Sequence, residues 1–184
     1  HLIAALNVQQ YDKGAKLIKQ LTPKQSKPAN NVPEAASGWK MDQWHYSGYK
    51  LQSDSVKAFN AEFLDVSSLD LESPFKWDAF TPLPPTGAES RGLTEDDHLV
   101  DAPENSVYYV AKVFEVKEAG IYELEMDSDD LMKVWINGNV VHSYSQGGRG
   151  LQWPGRDMAV TWLDKGANSV LIKIVNQLLE TGFY

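Results

Sequence analysis

The chain of 184 residues has room for one domain of ordinary size, or for one domain with a short appendage. Hydrophobic residues make up 42% of the chain, which is enough for a core and argues against global disorder. A formal charge of −8, without any run of Lys and Arg, excludes nucleic acid and disfavours anionic membranes, because both partners need a basic surface. No cysteine is present, so disulfides, thiolate metal sites and cysteine nucleophiles are excluded.

Residues 1–36 differ from the rest and are predicted to form an N-terminal helix and a Pro-rich linker. The helix is expected over Asn7 to Leu21, where apolar side chains recur near one face. That face holds Val8, Tyr11, Ala15, Ile18 and Leu21, and the lysines elsewhere on the helix are Lys13, Lys16 and Lys19. Thr22-Pro23 ends the helix. The chain begins at His1 and shows neither a signal peptide nor a membrane span, so we expect a processed or excised piece.

Residues 37–184 carry the pattern of β-strands and are predicted to form a second unit. Trp39 to Tyr49 is rich in aromatic residues, and a long irregular stretch is expected from Leu51 to Asn105. The strand-like runs that follow are Val107 to Lys117, Gly120 to Met126, Leu131 to Val141, Met158 to Leu163 and Ser169 to Asn176.

Alternation within these runs favours antiparallel sheets packed face to face. Met132 and Val134 oppose Lys133 and Trp135, which gives one apolar face with period two. In the last run Leu171 and Val175 lie on the opposite face from Val170, Ile172 and Ile174, so that second face is expected to be partly covered. The predicted fold is all-β, an antiparallel β-sandwich or jelly roll with a short helical N-terminal appendage.

Four stretches carry a resemblance to a known family. They are 44–49 (WHYSGY), 58–77 (AFNAEFLDVSSLDLESPFKW), 106–143, which includes SDDLMKVWINGNVV, and 163–176 (LDKGANSVLIKIVN). The chain from about Trp39 to Tyr184 resembles the galactose-binding-domain-like jelly rolls that are appended to bacterial secreted glycoside hydrolases and other surface proteins. The resemblance implies a carbohydrate-binding accessory domain, secreted or located at the cell surface or in the periplasm.

An acidic cluster, Asp127, Asp129 and Asp130, precedes the central strand. Carboxylate oxygens suit calcium, which takes six to eight oxygen ligands in irregular loops. Ser128-Asp129-Asp130 is also similar to the lectin-like domains of the anthrax protective antigen type, in which adjacent aspartates hold calcium that touches a sugar. A structural calcium ion is one interpretation of the cluster. The other is a polar turn whose aspartates bond nearby backbone amides.

The stretch His142 to Asp157 is the candidate binding loop. It holds three glycines before Trp153, and Arg149 and Arg156 flank that ring. Sugar sites use a flat aromatic ring for the apolar face of the sugar and planar donors for its hydroxyls. We therefore predict Trp153, Arg149, Arg156 and His142 as ligand-binding residues. A loop that plugs one end of the sandwich would use the same side chains.

The remaining tryptophans have architectural interpretations. Trp135 lies opposite Val134 and is expected either to be covered or to stack on a sugar. Trp44 and Trp77 are expected in the core, and Asn137-Gly138 is a two-residue hairpin signal.

Catalysis finds little support in the sequence. The four histidines are scattered, without a metalloprotease or other metal-binding spacing, and no nucleophile elbow or phosphate-binding loop occurs. The favoured function is a non-catalytic carbohydrate-binding module of a larger protein, with a glycan or polysaccharide and neighbouring domains as partners. The alternative is a structural, protein-interacting domain without a sugar ligand.

Overall fold

A computed structural model describes residues 43–64, 80–83, 98–152 and 156–184, and the structural statements below refer to these ranges. The described protein is all-β with antiparallel sheets, which confirms the predicted fold class. The strands are β1 (His45–Leu51), β2 (Thr81–Pro82), β3 (His98–Val100), β4 (Ser106–Val116), β5 (Gly120–Met126), β6 (Ser128–Asp129), β7 (Leu131–Ile136), β8 (Asn139–Tyr144), β9 (Asp157–Leu163), β10 (Gly166–Asn176) and β11 (Thr181–Phe183). The predicted N-terminal helix and linker lie outside the described residues.

Three sheets make up the fold. The largest has six strands in the order β2-β1-β4-β10-β7-β8, and the others are β3-β11-β6 and β5-β9. The central pair β4–β10 is the longest, with eleven residues in register from Gly166 opposite Val116 to Asn176 opposite Ser106. The alternation read from the sequence is observed on β7 and β10, because their two faces belong to different clusters. One cluster holds Met132, Val134, Ile172 and Ile174, and the other holds Trp135 and Leu171.

The first face of the large sheet forms the main core. Tyr108, Met132 and Ile174 on this face are completely buried. Val100 of β3, Met126 of β5, Ala159 of β9 and Phe183 of β11 belong to the same cluster. The two smaller sheets therefore supply side chains that cover one face of the large sheet. The β-sandwich or jelly-roll architecture stays a prediction.

The second face of the large sheet is covered as well, as Leu171 and Val175 predicted. Trp135 is only 6% exposed and packs in one cluster with Phe80 and Leu171. The covered interpretation of Trp135 is thus confirmed. The cover includes a short helix, α1 (Ser55–Asn60), which lies within a stretch that the sequence predicted to be irregular. Its Ala58 and Phe59 are buried against the sheet.

The hairpin between β7 and β8 turns at Asn137-Gly138, as predicted. Both residues have positive φ, 48° and 78°, which is the conformation that Asn-Gly pairs accept most readily. The Asn137 side chain has a second role that the sequence did not reveal. Its Oδ1 accepts a 2.8 Å bond from the Ser169 amide and its Nδ2 donates to Asn168 Oδ1, so the turn is tied to the start of β10.

A buried lysine joins the helix to the sheet. Lys173 lies at the middle of β10 on the second face and is only 1% exposed. Its Nζ donates to the carbonyls of Ala58 (2.5 Å), Phe59 (3.0 Å) and Ala61. These carbonyls belong to the last turn of α1 and the residue after it, where the helix leaves acceptors unsatisfied. Lys173 therefore acts as a C-terminal cap for α1 that comes from the sheet.

Burial lowers the pKa of Lys173 to about 8 from 10.5, and the neighbouring Lys133 ammonium adds to that effect. The folded protein thus releases this proton at a lower pH than the unfolded chain does. Because the unfolded state binds more protons between these two pH values, the contribution of Lys173 to the free energy of unfolding rises from about pH 8 to pH 10.5.

We expect Lys173→Met to lower the free energy of unfolding by about 2 kcal/mol at pH 7, because buried carbonyls lose their donor while the relief of a buried charge offsets part of the loss. Denaturant unfolding measures the change. Lys117→Met, at an exposed position, is the matched control and should change the free energy of unfolding by less than about 0.5 kcal/mol. The gap between wild type and Lys173→Met should widen from pH 8 to pH 10.5; a constant gap would show that Lys173 does not titrate as inferred.

Candidate functional site

Two loops with charged side chains meet at one end of the large sheet. The acidic segment 127–130 lies between β5 and β7 and includes β6, and the second loop, 145–156, joins β8 to β9. Main-chain bonds between Asp127 and Tyr184 fix the acidic segment to the C-terminal strand, at 3.0 and 3.3 Å. The peptide bond between Asp129 and Asp130 is cis. The predicted metal residues and the predicted ligand-binding residues are thus brought to the same place.

Asp127 is fully buried, and its carboxylate is paired with a cation of the same protein. Its Oδ1 accepts a 2.8 Å bond from Arg156 Nε, and a terminal guanidinium nitrogen of Arg156 lies 2.5 Å from the same oxygen. Its Oδ2 accepts from the Gln152 amide at 2.9 Å, and the Ser128 amide donates to Oδ1 at 2.8 Å. A buried carboxylate is stable when it is paired and hydrogen-bonded in this way. Asp127 therefore holds the loop 145–156 against the acidic segment.

Asp130 is also buried and ties three segments together. Its Oδ1 accepts from the Arg149 amide at 3.0 Å, and its Oδ2 accepts from the Gln177 amide at 2.7 Å. The Gln177 side chain in turn accepts from the Gly148 amide and donates to Ser55 Oγ, both at 2.8 Å. Asp130 thus accepts bonds from main-chain amides, as the polar-turn interpretation expected, but the carboxylate is buried and the donors lie 19 and 47 residues away instead of nearby.

Arg149 is the centre of a second ion-paired group. Its guanidinium bonds Asp157 and Ser128 Oγ, the latter at 2.9 Å, and lies 3.7 Å from the centre of the Tyr144 ring. His142 Nε2 lies 3.2 Å from Asp157 Oδ2. Burial by itself would raise the pKa of Asp157, but Arg149 and then His142 outweigh it and lower that pKa below its ordinary value. Two of the four predicted ligand-binding residues, Arg149 and Arg156, are therefore ion-paired with carboxylates of the protein, and His142 lies close to one of these carboxylates.

Asp129 differs from the other two aspartates. It is half-buried, and its main chain pairs with Gly182 of β11. Burial first, and then the neighbouring Asp130 carboxylate, raise the pKa of Asp129 to about 7. A side chain at Gly150 would lie 3.9 Å from Asp129 Oδ2, so the glycine-rich loop passes close to this carboxylate. The charge of Asp129 therefore changes near neutral pH.

The metal and aromatic predictions have different outcomes. In the described ranges no group of three or more His, Asp or Glu side chains is arranged to hold a metal ion, and calcium at Asp127, Asp129 and Asp130 stays a prediction. Trp153 lies in the stretch 153–155, outside the described residues, as does Trp77. Trp44 is placed in the core as predicted, at 4.8 Å from the Phe183 ring in an edge-on contact.

Sequence reasoning missed the residues that join distant segments. Lys173 was visible as a charged residue between Leu171 and Val175 on an apolar strand face, which is a signal for a buried, specifically bonded lysine. Gln177 and the side-chain role of Asn137 carried no such signal, because their partners lie far away in the sequence.

Comparison of the chain with protein-family models finds no match, and searches among curated proteins and among solved structures find none either. Over the described ranges, the structure contains no helix of the length and apolarity that a membrane span requires.

We expect Arg156→Met to lower the free energy of unfolding by about 3 kcal/mol or more, because the fully buried Asp127 carboxylate loses its cation. Thermal and denaturant unfolding give the size of the effect. Lys165→Met, at an exposed position, is the matched control and should leave the stability within about 0.5 kcal/mol. An Arg156→Met protein as stable as the control would mean that the Arg156–Asp127 pair does not hold the loop.

A pH series tests Asp129. Because its folded pKa is raised, the folded state holds this proton more tightly than the unfolded chain, and the associated stability is lost as pH rises from about 4 to about 7. Asp129→Asn removes that titration. The unfolding free energy of Asp129→Asn minus that of wild type should therefore increase over this range. Glu123→Gln, which changes an exposed carboxylate on β5, should show no such increase; a flat difference for Asp129→Asn would contradict the raised pKa.

Proposed function

We propose that this chain is a non-catalytic β-sheet domain that serves as a structural, protein-interacting module of a larger secreted or surface assembly. The observation that carries the proposal is the pairing of Arg149 and Arg156 with carboxylates of the same domain, with His142 close to one of them. Arg149 and Arg156 thereby join the acidic segment to the loop that follows β8, which leaves less of each guanidinium group for a ligand. The absence of recognised catalytic motifs in the sequence supports the non-catalytic part.

Accessibility supports the same interpretation. Recognition of sugar hydroxyls by arginine requires that the planar guanidinium group present free N–H donors to the ligand. The Arg149 side chain is only 9% exposed and that of Arg156 is 20% exposed. Both groups also bond protein oxygens, including Gly150 O in the case of Arg156. A ligand would have to displace an internal ion pair to use either of them, which favours a loop that closes the end of the domain.

A second candidate function, a carbohydrate-binding module, is favoured by Asp129. Its half-buried carboxylate lies next to the exposed Gly150, and carboxylates accept bonds from sugar hydroxyls. Calcium would select the ionised form of Asp129, so calcium binding would release a proton near neutral pH. This candidate takes Trp153 as the stacking ring.

A glycan-array screen of the intact chain separates the two candidates. The array is run once with calcium and once with a chelator, and circular dichroism and thermal unfolding verify that the protein is folded in both. For the structural module we expect no specific glycan binding in either condition. Retention of a sugar only with calcium, lost in Asp129→Asn and in Trp153→Ala, would overturn the structural proposal and establish the carbohydrate-binding module.

A further inference from the structure

Four exposed apolar side chains lie at the end of the large sheet where β1 finishes and β4 begins. We call Leu51, Val56, Leu178 and Leu179 the end patch. Their exposed fractions are 68%, 62%, 65% and 78%, so each places most of its side chain in water. Single exposed leucines are ordinary, but a group of them at one end of a domain marks an interaction surface.

Hydrogen bonds show that the three loops that carry the end patch meet. Gln177 Nε2 donates to Ser55 Oγ at 2.8 Å, which joins the loop of Leu178 and Leu179 to the start of α1. The Gln52 amide donates to Asn105 O at 2.7 Å. Asn176 Nδ2 donates to both Pro103 O and Leu179 O, at 3.1 and 3.2 Å. The end patch is therefore held by a connected set of main-chain and side-chain bonds.

Leu179 has a backbone conformation that a leucine rarely adopts. Its φ is 63°, in the left-handed region that favours Gly, Asn and Asp. The Glu104 carboxylate accepts from its amide at 3.0 Å, and Asn176 donates to its carbonyl, so this conformation is fixed from both sides. A leucine that is both strained and 78% exposed contributes little to folding. Such a residue points to a binding role.

The charges around the end patch indicate which segment covers it. Asp101, Glu104 and Glu180 are exposed in the loops around the end patch, while the nearby Lys57 is paired with Asp54 at 3.3 Å. Residues 1–42 contain six lysines and three acidic residues, a net charge of +3, whereas the whole chain carries −8, which leaves −11 for residues 43–184. The N-terminal part is thus the basic part of an acidic protein.

We propose that the predicted amphipathic helix Asn7 to Leu21 docks on the end patch of its own chain. Its apolar face, with Tyr11 and Ile18, would cover the exposed leucines, and its lysines would lie near the acidic loops. This inference stands apart from the proposed function, because it needs neither a glycan nor another protein. It assigns the surface at this end of the domain to an internal partner.

The chain between helix and domain is long enough for this contact. Residues 22–42 provide 21 residues before Gln43, about 70 Å when extended. The end patch lies one strand length from Gln43, since β1 reaches it over seven residues, about 23 Å. A tether of this length keeps the effective concentration of the helix high enough for weak apolar and ionic contacts to hold it.

Paramagnetic NMR on the intact chain tests the proposal. The protein has no cysteine, so a single Ser53→Cys carries one nitroxide label at an exposed position in the loop beside the end patch. We expect the label to abolish amide signals of residues 7–21. Adding Leu178→Ser and Leu179→Asn should restore them, and the fold should survive because Asn accepts the positive φ of position 179. Met158→Ser, an exposed apolar residue on β9, is the control and should leave the signal loss unchanged.

Three outcomes would overturn the inference. Unchanged amide signals over residues 7–21 in the labelled chain would show that the helix does not reach the end patch. In a second sample, nitroxide-labelled chain without isotope enrichment is mixed with isotope-enriched chain that carries no nitroxide. Signal loss that appears only in this mixed sample would assign the end patch to a second copy. Signal loss that persists in the Leu178→Ser, Leu179→Asn protein would show that the helix lies near the label but does not need these leucines for docking.

Discussion

A single buried charge joins helix α1 to the second face of the large sheet. Lys173 is part of the longest strand pair, β4–β10, and its ammonium group is removed from water at the centre of the second face. Such a charge is stable only if fixed acceptors replace water, and the carbonyls of Ala58, Phe59 and Ala61 do so. The bonds determine where α1 ends and hold it on the sheet. Because the helix then covers the second face, both faces of the large sheet are occupied by the protein itself.

The end of the large sheet that carries the acidic segment combines two kinds of surface. One is the polar closure built from Asp127, Asp157 and their arginines, and the other is the end patch of exposed leucines. Gln177 contacts both, since it bonds Asp130 and Gly148 on one side and Ser55 on the other. The polar closure and the end patch are therefore joined by a short chain of hydrogen bonds through Gln177.

At this end of the sheet, residue types alone do not distinguish a ligand site from a loop closure. Arginines, a histidine and glycines in one loop are the residues that sugar sites use, and they are equally suited to closing a loop over buried carboxylates. The difference lies in the carboxylates. Asp127 and Asp157 have arginine partners, whereas burial and the charge of Asp130 raise the pKa of Asp129 to about 7. Asp129 thus remains able to gain or lose a proton near neutral pH, whereas Asp127 and Asp157 are ion-paired.

The sequence by itself determined the local features of this protein. Period-two alternation identified β5, β7 and β10 and their apolar faces, and Asn137-Gly138 identified the hairpin, because each depends on neighbours within a few residues. Helix α1 and the split of the smaller strands into two sheets did not follow, since packing against distant segments stabilises them. Only the tertiary structure decided that Arg156 meets Asp127 and that Lys173 meets the end of α1, across 29 and more than 100 residues. The physical reason is that ion pairing and burial of a charge depend on which loops and faces meet, and strand periodicity carries no information about that choice.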